Sequence, residues 1–280
     1  MFLVTGATGS VGRTAVDLLL AEGHKVAAVT RDPSQTTLAG EAQVVAGDPS
    51  KPETLAAALD GVEAILLGPR AVGTATAELL SLAAAHGVGR VVVLSAVTVE
   101  YPVGLPRFME HFKSVETEAK ASGLEWTFLR STDYAANTLA WAPQVRAGNL
   151  VRGAYGSAMT STVHERDVAA VAVRALVDPG HARRSYLLTG SESLSQYDKV
   201  RLLGEAIGKE LTFVELPPEQ VHQAMLAQGL PADVPERLLG SLADYAVQAG
   251  PTSDDVQKVL GRPALTFAQW ATERAAAFRN

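Results

Sequence analysis

The chain has 280 residues, of which 47% are hydrophobic and 19% are charged, and its formal net charge is −6. This composition is typical of a globular protein with a packed core, and it excludes the basic face of a nucleic-acid-binding protein. The absence of cysteine excludes disulfides, thiolate metal sites and a cysteine nucleophile.

The first half of the chain predicts an alternation of strands and helices. Apolar runs indicate strands over residues 2–5, 25–30, 42–46, 64–68, 90–95 and 125–129. Helical patterns cover residues 12–22, 52–59, 73–86 and 107–122, and they are followed by Gly23, Gly61, Gly87 and Gly123, where glycine caps are expected. Continuous Val, Leu and Ile runs between helices predict an α/β fold with a doubly wound parallel sheet.

The second half predicts a smaller α/β lobe. Residues 157–163 read as extended, and 185–189 and 211–216 read as strands. Helices are expected over 165–178, 197–207, 218–227, 234–247 and 253–259, with Asp167 as a helix cap and His164 as a buried structural histidine. We therefore expect a nucleotide-binding Rossmann domain over residues 1–130, which also uses parts of 157–178, and a substrate-binding lobe over 131–280.

The turn after the first strand is the strongest functional signal. Glycines fall at Gly6, Gly9 and Gly12, in the spacing G-x-x-G-x-x-G, between an apolar strand and a helix. Such a turn lets the backbone approach a pyrophosphate at the helix N-terminus. An ordinary tight turn is the alternative. The pattern predicts a nicotinamide dinucleotide held by the residues Gly6, Thr8, Gly9, Ser10 and Val11.

Further cofactor contacts are expected where the later strands end. Arg31 stands about 20 residues past the glycine turn, where an arginine accommodates the 2′-phosphate of NADP and an acid holds the ribose of NAD. The adjacent Asp32 could hold the ribose of NAD in place of such an acid. The sequence therefore predicts NADP(H) as the cofactor, with NAD less favoured. The same crevice should receive groups from the ends of the third, fourth and fifth strands, namely Asp48, Gly68, Pro69, Arg70 and Ser95. Asp48 could equally be a turn-forming residue.

The chain resembles the NmrA-like atypical short-chain dehydrogenases/reductases, and among them the bacterial NAD(P)H-dependent quinone reductases. The motifs that carry the resemblance are VTGATGSVG at 4–12, TR at 30–31, GD at 47–48, VE at 115–116, SGL at 122–124, TFLRS at 127–131, VHERDVA at 163–169 and TFAQW at 266–270. The resemblance runs nearly end to end and implies a Rossmann fold that binds NAD(P)H.

One departure bears on the chemistry. Many members of the wider superfamily carry a Tyr-x-x-x-Lys pair, in which the tyrosine acts as acid or base and the lysine lowers its pKa. Counted back from Glu116, those positions are Phe108 and Phe112. A register shift of one residue would place Lys113 at the lysine position, but Met109 would then replace the tyrosine. The usual pair is therefore expected to be absent.

Other side chains must then serve the reaction. Phe108, His111, Phe112 and Val115 share one helical face, which should point inward, and the resemblance places this helix beside the nicotinamide. His111 and Tyr134 are the catalytic candidates, and Lys113 is a candidate for the cofactor ribose, although it lies off that face. The expected substrate pocket comprises Tyr101, Phe108, Phe112, Asn137 and Trp141. Alternatively, His111 lies on the surface, and Tyr134 and Trp141 belong to the core of the smaller lobe.

These residues predict an NADPH-dependent oxidoreductase that transfers hydride to a quinone, a small conjugated carbonyl or a natural-product intermediate. Two alternatives stay open: a non-catalytic redox sensor, and a redox-neutral lyase, isomerase or cyclase that retains the cofactor. No metal-ligand spacing and no G-x-S-x-G elbow occur. The expected partner is a small molecule, with no nucleic acid and no membrane. The sequence leaves the oligomeric state open, although enzymes of this fold often form homodimers. The absence of a leader or apolar span predicts a cytoplasmic protein.

Overall fold

The computed structural model describes residues 1–35, 38 and 40–279. The strands, numbered along the chain, are β1 (Phe2–Val4), β2 (Val26–Thr30), β3 (Gln43–Ala46), β4 (Ala64–Leu67), β5 (Arg90–Ala96), β6 (Glu125–Ser131), β7 (Leu150–Gly153), β8 (Arg184–Leu188) and β9 (Thr212–Glu215). The α-helices are α1 (Ser10–Ala21), α2 (Pro69–Val72), α3 (Thr76–Ala85), α4 (Pro106–Ala121), α5 (Ala142–Ala147), α6 (Glu165–Val177), α7 (Gln196–Ile207), α8 (Pro218–Ala227), α9 (Asp233–Val247), α10 (Asp255–Leu260) and α11 (Phe267–Glu273). Within these residues, no helix combines the length and apolarity needed to cross a membrane.

Within the described ranges, seven parallel strands form the central sheet, in the order β3-β2-β1-β4-β5-β6-β8. Strand β1 pairs with β2 on one side and with β4 on the other, so that Leu3 lies between Ala27 and Ile65. The strand order reverses between β1 and β4, and a crevice opens at the carboxyl ends of the strands at such a point. The predicted doubly wound parallel sheet is confirmed.

Helices cover the sheet on both faces. Successive residues of β4 point to opposite sides, so Ala64 and Leu66 join the core under α1 and α6, whereas Ile65 and Leu67 join the core under α3 and α4. All four residues are buried. The apolar runs of the sequence are continuous, and not alternating, because both faces of the sheet are covered.

Most predicted elements are present within a few residues of their expected bounds, and three local differences stand out. Residues 52–59 form a 3-10 helix instead of an α-helix. The helix expected over 73–86 begins at Thr76, because Gly73 has a φ of +63° and ends α2. Helix α6 is capped by His164, whose Nδ1 accepts a hydrogen bond from an N–H group at the helix start. The fully buried Asp167, expected as the cap, instead accepts a hydrogen bond from the Arg262 guanidinium at 2.6 Å.

The smaller lobe has its own core. Strands β7 and β9 pair in parallel, and their buried side chains pack with those of α5, α7 and α11 around Trp270. Of these elements, β7, α5 and α11 were not predicted from the sequence. The segment 157–163 makes isolated bridges to Tyr134 and Leu194 and lies in no strand of the described chain.

Two elements from the second half of the chain lie in the sheet layer. Helix α6 packs against α1, and β8 pairs with β6 at the edge of the sheet. Nothing in the apolar run of residues 185–189 identifies β6 as its partner. Helix α10 packs against β8, and the Asp255 carboxylate accepts a hydrogen bond from the Leu187 N–H at 2.8 Å. An outward-facing backbone donor of the edge strand is thereby satisfied by a side chain.

Candidate cofactor and substrate site

The turn between β1 and α1 brings backbone atoms close together. Gly6 has a φ of +66°, which side chains rarely adopt. A Cβ atom on Gly12 would lie 2.2 Å from the Gly6 carbonyl oxygen. Gly9 donates its N–H to that carbonyl at 3.0 Å and has no side chain that could cover the helix start. The result is an open helix N-terminus, which fits the pyrophosphate of a dinucleotide.

The donors of this turn lie where an anion can reach them. The Arg13 N–H makes a bond of 2.9 Å to the Gly9 carbonyl, and the N–H groups of Ser10 and Val11 precede it at the open end of the helix. Ser10 is exposed, whereas the Val11 side chain is buried in the core. The structure therefore brings together in one turn the residues expected at the pyrophosphate: Gly6, Thr8, Gly9, Ser10 and Val11.

Charged residues follow the two neighbouring strands β2 and β3. The Asp32 carboxylate accepts hydrogen bonds from the N–H and hydroxyl of Ser34, at 3.0 and 2.6 Å. The Asp48 carboxylate accepts the equivalent bonds from Ser50, at 3.1 and 2.8 Å. Hydrogen bonds from Ser50, and to a lesser degree the charge of Arg31, hold the pKa of Asp48 below its ordinary value. Both carboxylates are thus held by their own turns, while the Arg31 guanidinium is exposed at the end of β2.

The ends of β1 and β4 are tied together beside the crevice. The Thr5 hydroxyl donates to the Leu66 carbonyl at 3.1 Å and accepts the Gly68 N–H at 2.8 Å. Gly68 is followed by the buried Pro69, which begins α2, and by the exposed Arg70. A Cβ atom on Gly6 would lie 3.9 Å from the Cβ of Ala71, so the start of α2, which carries Arg70, lies beside the glycine turn.

Ser95, expected at the cofactor, has its hydroxyl turned into the interior. It donates to the Glu116 carboxylate of α4 at 2.7 Å. The same carboxylate accepts two hydrogen bonds from Arg130, at 2.9 and 2.7 Å, and Arg130 also binds Glu100. Hydrogen bonding to Glu116 raises the pKa of Arg130 against the effect of burial. The network fixes α4 to the ends of β5 and β6.

Helix α4 presents the predicted aromatic face near the carboxyl edge of the sheet, where the helix begins. Val115 is buried, and Phe108, His111 and Phe112 are half-buried. The rings of His111 and Phe112 meet edge to face, with centroids 5.5 Å apart. Lys113 is exposed and lies off this face. The face therefore points inward at Val115 and is only partly covered at the three rings.

The residues after β6 divide between the crevice and the cores. Tyr134 is half-buried, and burial raises the pKa of its phenol, while the Ser131 hydroxyl and the Arg70 charge oppose that shift. Asn137 is exposed. Trp141 packs against the core of the smaller lobe, as the alternative interpretation of its sequence position expected.

Tyr101 lies in a different place from the other expected pocket residues. It is 42% exposed and lines a surface pocket of about 700 Å³. The other walls of this pocket come from Glu100, from Ser185 and Leu187 of β8, from Ser191 and from the segment 252–264. Among the described residues that line this pocket, neither Phe108 nor Tyr134 occurs.

Arg237 of α9 was not identified from the sequence. It is half-buried, and burial, followed by the charge of Arg70, lowers its pKa, while Asp233 opposes the shift. The charge of Arg70 also opposes the rise in the pKa of Tyr134. The residues around Arg237 form an ordinary amphipathic helix pattern, which gives no indication of where that helix docks.

Comparisons with known proteins agree with this geometry. Residues 6–179 match the sequence model of a protein family described as NAD(P)H-binding. The chain is 36% identical over 281 residues to the (4-alkanoyl-5-oxo-2,5-dihydrofuran-3-yl)methyl phosphate reductase of Streptomyces griseus, with 99% of each chain covered. It is 33% identical over 287 residues to the NAD(P)H azoreductase of Xenophilus azovorans, again with 99% of each chain covered.

The fold is also close to that of a solved enzyme. The crystal structure of the NADPH-dependent quinone oxidoreductase of Escherichia coli, complexed with NADPH, superposes with a TM-score of 0.83 at 25% identity. The match covers 98% of the present chain and 99% of that chain. The similarity therefore extends over the sheet and the smaller lobe together.

Proposed function

The chain belongs to the NAD(P)H-binding family and is an NAD(P)H-dependent oxidoreductase, and from this premise we propose that it uses NADPH to reduce a small conjugated carbonyl or quinone-like acceptor. Bound NADPH would supply the hydride, and one proton completes the two-electron reduction of the acceptor. The observation that carries the proposal is the open helix start after β1, with Arg31 exposed at the end of the next strand.

The fit of the cofactor rests on the glycine turn. The 2.2 Å approach of a Gly12 Cβ to the Gly6 carbonyl means that a side chain would fill the space beside the phosphate-binding backbone. Exposed Arg31 favours NADPH over NADH, because its fork-shaped guanidinium can bind a 2′-phosphate through two hydrogen bonds. The solved quinone oxidoreductase of Escherichia coli, which is complexed with NADPH, supports the same preference.

The acceptor would lie between α4 and the loop after β6. Phe108, His111 and Phe112 offer half-buried aromatic surface to a flat ring system. Phe108 and Phe112 occupy the positions where the resemblance would place Tyr and Lys, and neither can donate a proton. A conjugated acceptor needs less protein acid than a ketone, because its negative charge is delocalised after hydride arrives. The phenol of Tyr134, whose pKa is raised by burial, is protonated at neutral pH and can donate a hydrogen bond to that charge.

The names of the relatives indicate which acceptors to expect. Their names describe reduction of an unsaturated lactone phosphate, of azo compounds and of quinones. These acceptors share a conjugated π-system that takes up two electrons. We therefore propose this chemical class, and not an isolated ketone or aldehyde, as the substrate of the protein.

The test begins with a binding titration of NADPH, NADP⁺, NADH and NAD⁺, read by nicotinamide fluorescence and by calorimetry. Arg31→Ala should weaken NADPH binding at least tenfold and NADH binding much less, because only NADPH carries the 2′-phosphate. Lys25→Ala is the matched control, since Lys25 is an exposed cation near the opposite end of the same strand. Equal losses for NADPH and NADH would contradict the assigned role of Arg31.

Turnover is then measured as NADPH consumption with a panel of quinones, azo dyes and α,β-unsaturated lactones. Consumption with at least one class is expected, with isotope transfer from labelled NADPH into the product. Tight NADPH binding without turnover of any acceptor would overturn the proposal and favour a redox sensor. Product formation without isotope transfer would favour a redox-neutral reaction.

A further inference from the structure

A lysine of the smaller lobe is buried beside the loop that follows β6. Lys199 lies near the start of α7 and is 3% exposed. Its ammonium group donates hydrogen bonds to the Thr160 hydroxyl at 2.6 Å and to the Asp133 carboxylate at 3.1 Å. A buried ammonium group has lost its hydration, so it depends on such partners. Lys199 is therefore tied to the stretch of chain that carries Asp133.

Asp133 depends on the same contact for its charge. Its Oδ2 atom accepts the hydrogen bond from Lys199 and further ones from the hydroxyls of Thr162, at 2.6 Å, and Thr160, at 3.3 Å. Its Oδ1 atom is buried and has no hydrogen-bond partner among the described residues. Lys199 is the cation that pairs with this carboxylate. Loss of the ammonium group would leave a partly buried negative charge with hydroxyl donors alone.

The backbone around Asp133 is joined to the segment that precedes α6. The Val163 N–H donates to the Asp133 carbonyl at 2.9 Å, and the Ala135 N–H donates to the Val163 carbonyl at 2.9 Å. These two bonds form the parallel bridge between Tyr134 and Val163. The side-chain contacts of Asp133 and the backbone bridge therefore hold the same stretch of chain, the Tyr134 loop (residues 132–135).

The side chain of Tyr134 lies on the other side of this loop. Its backbone is extended, with φ −81° and ψ 139°, and successive side chains of an extended chain point in opposite directions. Asp133 accordingly contacts the smaller lobe, whereas the Tyr134 ring packs against the core under α1 and α6. Because the two residues are joined by one peptide plane, a shift of the Asp133 carboxylate is passed to the Tyr134 phenol.

We propose that Lys199 is a positioning residue for the reduction. Through its ion pair with Asp133 it fixes the direction of the Tyr134 loop, and so it places the Tyr134 phenol toward the acceptor. An ion pair at such a site adds little net stability, because the loss of hydration offsets the attraction of the charges, but its hydrogen bonds impose a direction. This inference rests on the proposed function, since it concerns the tyrosine that donates a hydrogen bond to the acceptor in that reaction.

The test is a double-mutant cycle of Lys199→Met and Tyr134→Phe, followed by NADPH consumption with an acceptor from the panel. Lys199→Met should lower kcat by about tenfold or more and leave the Kd for NADPH within about twofold of the wild-type value. In the Tyr134→Phe background it should lower kcat by less than about twofold, because the phenol that it positions is gone. The matched control is Lys209→Met, which should keep the wild-type kcat. The Lys209 ammonium donates to the Val145 carbonyl at 2.6 Å in the same lobe.

Two results of this cycle would overturn the proposal. A wild-type kcat in Lys199→Met would show that the Tyr134 loop does not need the ammonium group. Equal losses of kcat in the wild-type and Tyr134→Phe backgrounds would show that Lys199 acts independently of the phenol, as a purely structural residue would.

A milder variant serves if Lys199→Met does not fold. Thr162→Val removes the hydrogen bond of 2.6 Å to Asp133 and leaves the ion pair with Lys199 intact. Its loss of kcat should be smaller than that expected for Lys199→Met, and it should likewise vanish in the Tyr134→Phe background. A loss that persists in that background would count against the proposal in the same way.

Amide hydrogen exchange reports on the loop without any turnover. The N–H groups of Ala135 and Val163, which form the bridge, should exchange about tenfold faster or more in Lys199→Met, whereas the amides within β6 should keep their wild-type rates. In Lys209→Met both bridge groups should exchange as in the wild type. Unchanged exchange of the bridge in Lys199→Met would overturn the proposal.

The two proposals can therefore fail separately. If the wild type reduces no acceptor, the proposed function fails, and the exchange measurement alone decides whether Lys199 holds the Tyr134 loop. If acceptors are reduced but the cycle shows independent effects, the positioning role of Lys199 fails and the proposed function stands.

Discussion

Substitution of Gly12 by alanine should damage the cofactor site more than the fold. The new Cβ would lie 2.2 Å from the Gly6 carbonyl oxygen and 2.9 Å from its carbon. Ordinary carbon–oxygen contacts begin near 3.3 Å, so the helix start must move by about 1 Å relative to the turn. The clash is between the new Cβ atom and a backbone carbonyl group. Neither moves when a side chain changes its rotamer, so no change of rotamer can relieve the contact.

The size of the effect follows from that movement. The N–H groups of Ser10 and Val11 move with the helix, and a displacement of about 1 Å takes them out of hydrogen-bond range of a bound pyrophosphate. Bonds to charged groups contribute about 1.5–3 kcal/mol each. Loss of one to two such bonds corresponds to an increase of about 100-fold in the Kd for NADPH.

The free energy of unfolding of Gly12→Ala should fall by less than its free energy of NADPH binding. Overpacking costs about 1–3 kcal/mol, and the better helix propensity of alanine returns about 0.5–1 kcal/mol. Gly240→Ala is the matched control, since Gly240 is also helical but its Cβ would meet its nearest atom at 3.4 Å. Fluorescence titration of NADPH and denaturant unfolding of both variants are the measurements. A Gly12→Ala protein that binds NADPH as tightly as the wild type would refute the reasoning.

Two further predictions concern other ionisable groups of the protein. Glu116→Gln should lower the free energy of unfolding by about 3–5 kcal/mol, because it removes the buried carboxylate and leaves the half-buried Arg130 with only its exposed partner Glu100. Glu100→Gln, at the exposed end of the same network, should lower it by less than about 1 kcal/mol. Equal losses for the two variants in denaturant titrations would contradict the assigned network. Burial, together with the charges of Asp133 and Asp244, raises the pKa of Tyr245 to about 12 from 10.0. Below pH 10 the phenol is protonated in both states, and between pH 10 and about 12 only the unfolded chain loses the proton, so stability should fall in this range. Unfolding curves measured over this pH range give the slope of stability against pH. In Tyr245→Phe that slope should be smaller by the equivalent of one proton, and an unchanged slope would show that Tyr245 does not contribute.

The local parts of the site could be predicted from the sequence. The glycine turn depends on residues within a single stretch of nine, so its spacing alone identifies an open helix start. The strands of the sheet are buried on both faces, so their apolar runs stand out, as in β4 and β5. Arg31 and Asp48 lie at strand ends, and parallel strands bring their carboxyl ends to one edge.

The parts that depend on docking between distant segments could not be predicted. Ser95 has the correct position at the end of β5, but its orientation toward Glu116 depends on where α4 packs. Helix α9, which carries Arg237, rests on the loop at Gly104, more than 130 residues earlier, and no sequence pattern indicates this contact. Strand β7 contains the sequence Leu-Val-Arg-Gly, which is too short and too polar to be distinguished from a loop.

The capped edge of the sheet restricts how copies of this protein can associate. An exposed edge strand offers unpaired backbone groups to a strand of another chain, which is the usual start of sheet continuation and of edge-driven aggregation. At β8 one such donor is already bound by Asp255, and α10 lies against the strand. A second copy therefore cannot add a strand at this donor without first displacing the carboxylate. Any assembly that forms at this side of the protein should be built from helix surfaces instead.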